Sequence, residues 1–145
     1  MRALIQRVDY ANLVCGDYET SIKHGFIVFL GIKETDSDKD YEYVLKKIKK
    51  IRIFTDENGK INKDLSQVNG EILLVSQFSL YGSVKNNNRP SFTHSANKEK
   101  ALHYYERMIE DLKVDFPVKT GVFGGHMHIT YLNDGPLSII IDSEE

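Results

Sequence analysis

Two segments, Ser76-Gln77-Phe78-Ser79-Leu80 and Asn133-Asp134-Gly135-Pro136-Leu137-Ser138, concentrate hydroxyls, amides and special backbone residues at the ends of apolar, strand-like runs. Ile72-Leu73-Leu74-Val75 is apolar at every position, the pattern of a strand buried on both faces. The Ser-Gln that follows is therefore expected to emerge from a core into a cleft. Read as a strand through Leu80, alternation places Gln77 and Ser79 on one face and Ser76 and Phe78 on the other. Gly135 permits close approach of backbone to a ligand, and Pro136 holds the chain without an N–H to donate. Together these residues suggest a small-molecule pocket. A serine nucleophile needs an adjacent base, and neither Ser76 nor Ser79 has a neighbouring His or a nucleophile-elbow pattern. The alternatives for Ser79 are a hydrogen-bonding pocket residue and an ordinary strand hydroxyl. Asn133-Asp134-Gly135-Pro136 also reads as a plain hairpin turn, since Asp-Gly suits the tight turn types.

His126 and His128 stand two apart, so on a strand both imidazoles would face one side, a spacing that metal sites can use. No Cys or carboxylate cluster completes such a site, and the pair reads as a surface or cleft pair with no metal expected. The single cysteine, Cys15, excludes an internal disulfide and is expected as a small buried hydrophobe in a reducing compartment. A net charge of −2 excludes gripping nucleic acid by bulk charge, so any RNA contact must be local. Lys46-Lys47-Ile48-Lys49-Lys50 with Arg52, and the loop Lys85-Asn86-Asn87-Asn88-Arg89, are the two basic patches. The longest wholly apolar stretch, Phe26 to Leu30, is far below the ~18 residues of a membrane span. Met1-Arg2-Ala3-Leu4-Ile5-Gln6-Arg7 is not a signal-peptide core, and the expected location is cytoplasmic.

These residues need elements to position them. A chain of 145 residues suits one domain spanning 1–145. Leu4 to Val14, Tyr18 to His24 and Gly25 to Gly31 read as consecutive strands. Thr35-Asp36-Ser37-Asp38 offers caps for a helix carrying Tyr41, Val44, Leu45, Ile48 and Ile51 on one face. Asp56-Glu57-Asn58-Gly59 marks a turn, and Glu71 to Leu80 is the most apolar strand. Ser95 is the expected cap of a second helix, which buries Ala101, Leu102, Tyr105, Met108, Ile109 and Leu112 and ends before Pro117. Val118 to Phe123, His126 to Leu132 and Leu137 to Ile141 read as the closing strands. The expected class is α+β, a mostly antiparallel, barrel-like curved sheet packed with two amphipathic helices. Gly121-Val122-Phe123-Gly124-Gly125 precedes strand-like sequence rather than a helix, which argues against a doubly wound nucleotide fold.

Read together, Met1-Arg2-Ala3 with Gln6-Arg7-Val8, Arg52-Ile53-Phe54 with Asp56-Glu57-Asn58-Gly59-Lys60, Ser76 to Tyr81, Asn88-Arg89-Pro90-Ser91-Phe92 and Asn133 to Pro136 resemble the D-aminoacyl-tRNA deacylase family, from Met1 to about Ser143. The resemblance implies a homodimeric hydrolase, without cofactor, that cleaves the ester between a D-amino acid, or mischarged glycine, and the terminal adenosine of tRNA. It implies no DNA or membrane partner. It implies that Ser76, Gln77, Phe78 and Ser79 form the catalytic strand and that Met127 is a pocket residue. Gly135 and Pro136, joined by a cis bond, would enter the partner's pocket and reject L-amino acids, with Arg7 orienting them. The substrate's 2′-hydroxyl would assist catalysis in place of a protein nucleophile. Ser79 stands where the family usually has Thr, and Leu137-Ser138 where it has Val-Thr. The alternative from another class is an inactive RNA-binding protein on the same fold.

Overall fold

A run of strands opens the chain in the computed structural model, which describes residues 1–145. β1 (Arg2–Cys15) pairs antiparallel with β2 (Tyr18–Ile22) through its second half and with β3 (Gly25–Gly31) through its first half. Helix α1 (Asp38–Lys50) follows, then a short hairpin of β4 (Phe54–Thr55) and β5 (Ile61–Lys63), then β6 (Glu71–Ser76). Helix α2 (Lys98–Lys113), β7 (Val118–Thr120) and β8 (His128–Asp142) complete the chain.

The sheet is mixed rather than mostly antiparallel. β6 pairs parallel with β3, and β7 pairs parallel with β6. Each of these crossovers contains a helix, which returns the chain to the end where the previous strand began, and parallel pairing requires that. β8 lies antiparallel along β1. The hydroxyl of Tyr18 on β2 donates to the Thr120 carbonyl at the end of β7, 2.7 Å away. That contact draws the two flanks together into a nearly closed barrel.

Period-two alternation explains the two cores. Phe26, Val28 and Leu30 on β3, with Ile72 and Leu74 on β6, face the helices and join the larger core. Ile27, Leu73 and Val75 face the other way, into the curl of the sheet, with Val8, Ala11, Leu13 and Ile22. Both faces of the central strands are thus buried, as their unbroken apolar sequence requires. Tyr41, Val44 and Ile48 seat α1 on this core, and Tyr104, Tyr105, Met108 and Leu112 seat α2. The rings of Tyr41 and Tyr104 stack with centroids 5.6 Å apart between the helices.

The helix starts differ in one respect from expectation. Ser37 precedes α1 as expected, and the Asp40 carboxylate accepts from the Ser37 amide at 2.8 Å. α2 is capped by Asn97, not Ser95: the Asn97 side chain accepts from the Lys100 amide at 2.9 Å. Ser95 instead donates its hydroxyl to the Phe78 carbonyl at 2.9 Å, tying the loop before α2 to the segment after β6.

Three strand boundaries also differ. β6 ends at Ser76, and Phe78–Tyr81 forms a 3-10 turn. The Gln77 amide still donates to the Leu30 carbonyl at 2.9 Å, but β3 ends at Gly31 and offers no further ladder. β7 stops at Thr120, after which Gly124 takes φ +74° and turns the chain away. Asn133–Pro136 is not a hairpin turn. Residues on both sides of it pair with β1 in one continuous strand, with Asn133 opposite Val8 and Ser138 opposite Gln6. The extra residues Asp134 to Leu137 form a bulge, the device by which a strand turns backbone outward without losing its register for good.

A candidate active site at the ends of the parallel strands

A cleft of about 600 Å³ opens where β3, β6 and β7 end. Leu30 and Ile32 come from the end of β3, Val75 and Ser76 from β6, and Phe123 to Met127 from the loop after β7. Parallel strands all finish at one edge, so the loops that follow them converge there and leave a crevice. Ala96, Lys98 and Ala101, around the start of α2, form another side. The walls are mainly apolar with a few convergent polar groups, the usual make-up of a small-molecule site.

Four of the eight residues expected at the site line this cleft: Ser76, Gln77, Phe78 and Met127. Ser79 lies just beyond them, and the Gln77 side-chain amide donates to its hydroxyl. Gln77 and Ser79 are thus brought together by a 3-10 turn and not by strand alternation. The amides of Phe78 and Ser79 open that turn, so they lack the upstream carbonyls that would satisfy them inside a longer helix. The Phe78 ring is more than half exposed, packed edge-on against Phe92 with centroids 4.9 Å apart. Phe92 belongs to the loop between β6 and α2 and supports the cleft from outside.

Arg7, Gly135 and Pro136 form a second feature away from the cleft of the same chain. The Gly135–Pro136 peptide bond is cis, and Gly135 has φ +139°. A Cβ at Gly135 would lie 2.9 Å from the Leu137 amide nitrogen and 3.2 Å from Arg7 Nη2, so only glycine fits. The neck of the bulge is closed by Asn133, whose side-chain oxygen accepts from the Leu137 amide at 2.9 Å. Its base is held by Gln6, which donates to Ser138 Oγ at 2.9 Å and accepts from the Tyr131 hydroxyl at 2.6 Å. Buried Arg7 completes the support. It donates from Nε to the Asp134 carbonyl at 2.9 Å and from Nη1 to the Ile53 carbonyl at 2.8 Å.

His126 lines the cleft, and its ring meets His128 edge-on with centroids 5.1 Å apart. No third His, Cys, Asp or Glu joins them in a cluster able to hold a metal ion. Cys15 is half-buried beneath the same loop, where its Sγ lies 2.8 Å from the position a Cβ would take at Gly125. Sequence reasoning missed Ala96, Lys98, Phe123, Gly124 and Gly125 as cleft residues. The glycine-rich Gly121 to Gly125 stretch was the available signal, and its proximity to Ser76 follows only from the parallel β6–β7 pairing.

Comparison with known proteins identifies the family and the fold. A family model described as D-Tyr-tRNA(Tyr) deacylase matches residues 4–142. A D-aminoacyl-tRNA deacylase of Cytophaga hutchinsonii is 46% identical, over 99% of this chain and 98% of its own. One from Dictyoglomus turgidum is 44% identical over 100% of this chain and 94% of its own. A solved structure described as a c-Myc DNA unwinding element binding protein superposes with a TM-score of 0.91 at 35% identity, covering 98% of both chains. Another, described as a probable eukaryotic D-amino acid tRNA deacylase, gives a TM-score of 0.83 at 20% identity over 97% of this chain and 98% of its own, a likeness of fold. With the match running the length of the sequence, this chain belongs to the D-aminoacyl-tRNA deacylase family.

Proposed function

We propose that this protein hydrolyses the ester of D-aminoacyl-tRNA, and of mischarged glycyl-tRNA, in the cleft at the ends of β3, β6 and β7. A second copy of the chain supplies the chiral filter. The observation that carries this reading is the Gly135–Pro136 bulge: a rigid backbone probe, braced by Arg7 and Asn133, that does not line the cleft of its own chain. A probe so built has a use when it enters the cleft of a partner. There it would clash with an L side chain at the α-carbon and leave hydrogen or a D side chain undisturbed. Rejection by clash gives strict chirality with broad side-chain tolerance.

The chemistry follows from what the cleft offers. The Ser76 hydroxyl makes no hydrogen bond to His126, so a preformed nucleophile and base pair does not carry the reading. Water adds to the ester carbonyl, the amides of Phe78 and Ser79 stabilise the developing oxyanion, and Gln77 with Met127 positions the aminoacyl group. The C–O bond to the ribose then breaks, and the ribose oxygen leaves with a proton, assisted by the neighbouring 2′-hydroxyl. A D-tyrosyl ester on tRNA ending in 2′-deoxyadenosine tests this step. The reading expects hydrolysis of that substrate to be slowed by about a hundredfold or more, the scale of a lost general acid–base group. Equal rates on the two substrates would contradict it.

No helix is long and apolar enough to cross a membrane. Action on tRNA would place the protein in the cytoplasm, with a tRNA substrate and a second copy of itself as partners and without a cofactor.

A further inference from the structure

The cleft is lined by one lysine and one histidine, Lys98 and His126, and by no aspartate or glutamate. In a chain with 21 acidic and 19 basic side chains, that selection is a charge bias at the site itself. Like most lysines of the chain, Lys98 has no carboxylate partner, so its charge is free at the cleft. Both Lys98 and His126 are exposed, so they stand at the rim of the cleft, and the wall behind them is apolar, with Leu30 and Val75 buried and Ile129 partly buried. Neither residue makes a hydrogen bond that would commit it to the fold. A free ammonium offers three donors and even a neutral imidazole offers one.

We propose that Lys98 and His126 form a phosphate seat at the rim, holding the phosphodiester that joins the terminal adenosine of the substrate to the nucleotide before it. The inference rests on the deacylase reading of the cleft. With the ester carbonyl near Phe78 and Ser79, the terminal nucleoside occupies the remaining space and its 5′-phosphate reaches the rim, where the two donors wait. Ammonium and imidazole donors to a phosphate oxygen form charge-assisted hydrogen bonds, which fix position as well as charge. Lys98 and His126 are therefore binding residues: they hold the ground state and the transition state alike and do not touch the reacting atoms.

The test compares two D-tyrosyl esters, one on adenosine without phosphate and one on the dinucleotide cytidylyl-adenosine, for the unaltered protein and for Lys98→Ala, His126→Ala and Lys98→Arg. In each alanine variant KM for the dinucleotide ester rises about fivefold, the scale of one exposed charge contact, with kcat unchanged. The adenosine ester is unaffected, and Lys98→Arg behaves like the unaltered protein. Equal losses on both esters, or no loss on either, overturn the phosphate seat. In parallel, binding of adenosine 5′-monophosphate is compared with that of adenosine by titration calorimetry. The seat predicts tighter binding of the monophosphate, a preference reduced about fivefold in Lys98→Ala and weakened by added salt. If the unaltered protein hydrolyses neither ester, the deacylase reading falls, and the monophosphate preference still decides the seat. Monophosphate and adenosine binding alike would end it.

Discussion

Arg7 Nε donates to the carbonyl oxygen of Asp134 at 2.9 Å, with the Asp134 carboxylate 3.3 Å away, so the guanidinium grips the first residue of the bulge twice. Its other arm is anchored on the Ile53 carbonyl. One buried side chain thus links the bulge to the segment between α1 and β4, and the direction in which Gly135 and Pro136 project depends on it.

Arg7→Ala leaves two carbonyls without their donor and should cost about 1–3 kcal/mol of stability, read from denaturant unfolding. Its larger effect is on chirality. A misplaced probe should lower the preference for D- over L-tyrosyl-tRNA by about a hundredfold, the scale of a displacement near 1 Å. Arg7→Lys should not restore it, because an ammonium lacks the planar fork that serves two carbonyls at once. Retained selectivity in a folded Arg7→Ala protein would contradict the bracing role.

Pro136→Ala keeps Gly135 but removes the rigid ring, and it should admit L-tyrosyl-tRNA while D-tyrosyl-tRNA is still cleaved. Gly135→Ala places a Cβ against the Leu137 amide and Arg7 at φ +139°, so it should disturb the bulge more severely. Rates on both enantiomers, measured at one enzyme concentration, separate the two variants.

Ser79→Ala should keep most of the activity, losing less than about tenfold, because it removes only a hydroxyl bonded to Gln77 and keeps the Ser79 amide. Gln77→Ala should lose more, since Gln77 lines the cleft and is held by Ser79. An inactive but folded Ser79→Ala protein would revive a nucleophilic serine.

Much of this architecture was legible where local chemistry decided the outcome. Ser37 before an apolar 3.6-residue period marked α1, and unbroken apolar runs marked β3 and β6. The parallel pairing was not legible, because nothing in a strand's own residues says which neighbour it takes; the helical crossovers decide that. Ser95 was misread as a cap because its hydroxyl is claimed by Phe78, a contact distant in sequence. The bulge looked like a hairpin because Asp-Gly-Pro has turn chemistry either way. Only the partner strand β1, paired on both sides of it, tells the two apart. Cleft residues Ser76 to Phe78 were readable from the polar step at the end of an apolar strand, whereas Lys98 carried no such mark.

The chain ends are clasped together, and acid should loosen them. Burial works against ionisation of Asp142, but the Glu144 amide and the Arg2 guanidinium outweigh it and hold the carboxyl below the usual range. A depressed folded pKa stabilises above the unfolded value, near 3.9, and that stability is lost as pH falls through the folded value. Asp142→Asn should therefore lower Tm at pH 7, and the gap to the unaltered protein should close as pH drops below about 4. A gap that widens on acidification would contradict this.

The Met1 ammonium lies 2.5 Å from the Asp36 carboxylate, both buried, and donates to Ser143 Oγ at 2.7 Å. Asp36→Asn strands a buried cation and should cost about 3–5 kcal/mol, or roughly 10 °C in Tm. Scanning calorimetry of the two proteins checks it, and an unchanged Tm would remove the pair from the account.

The central claim is a chirally selective ester hydrolase, and deacylation of D-Tyr-tRNA and L-Tyr-tRNA by the purified protein, against a no-enzyme control, tests it most directly. The account predicts rapid loss of the D-ester while the L-ester decays at the spontaneous rate. Loss of both would contradict the Gly135–Pro136 filter, and loss of neither would contradict the hydrolase itself.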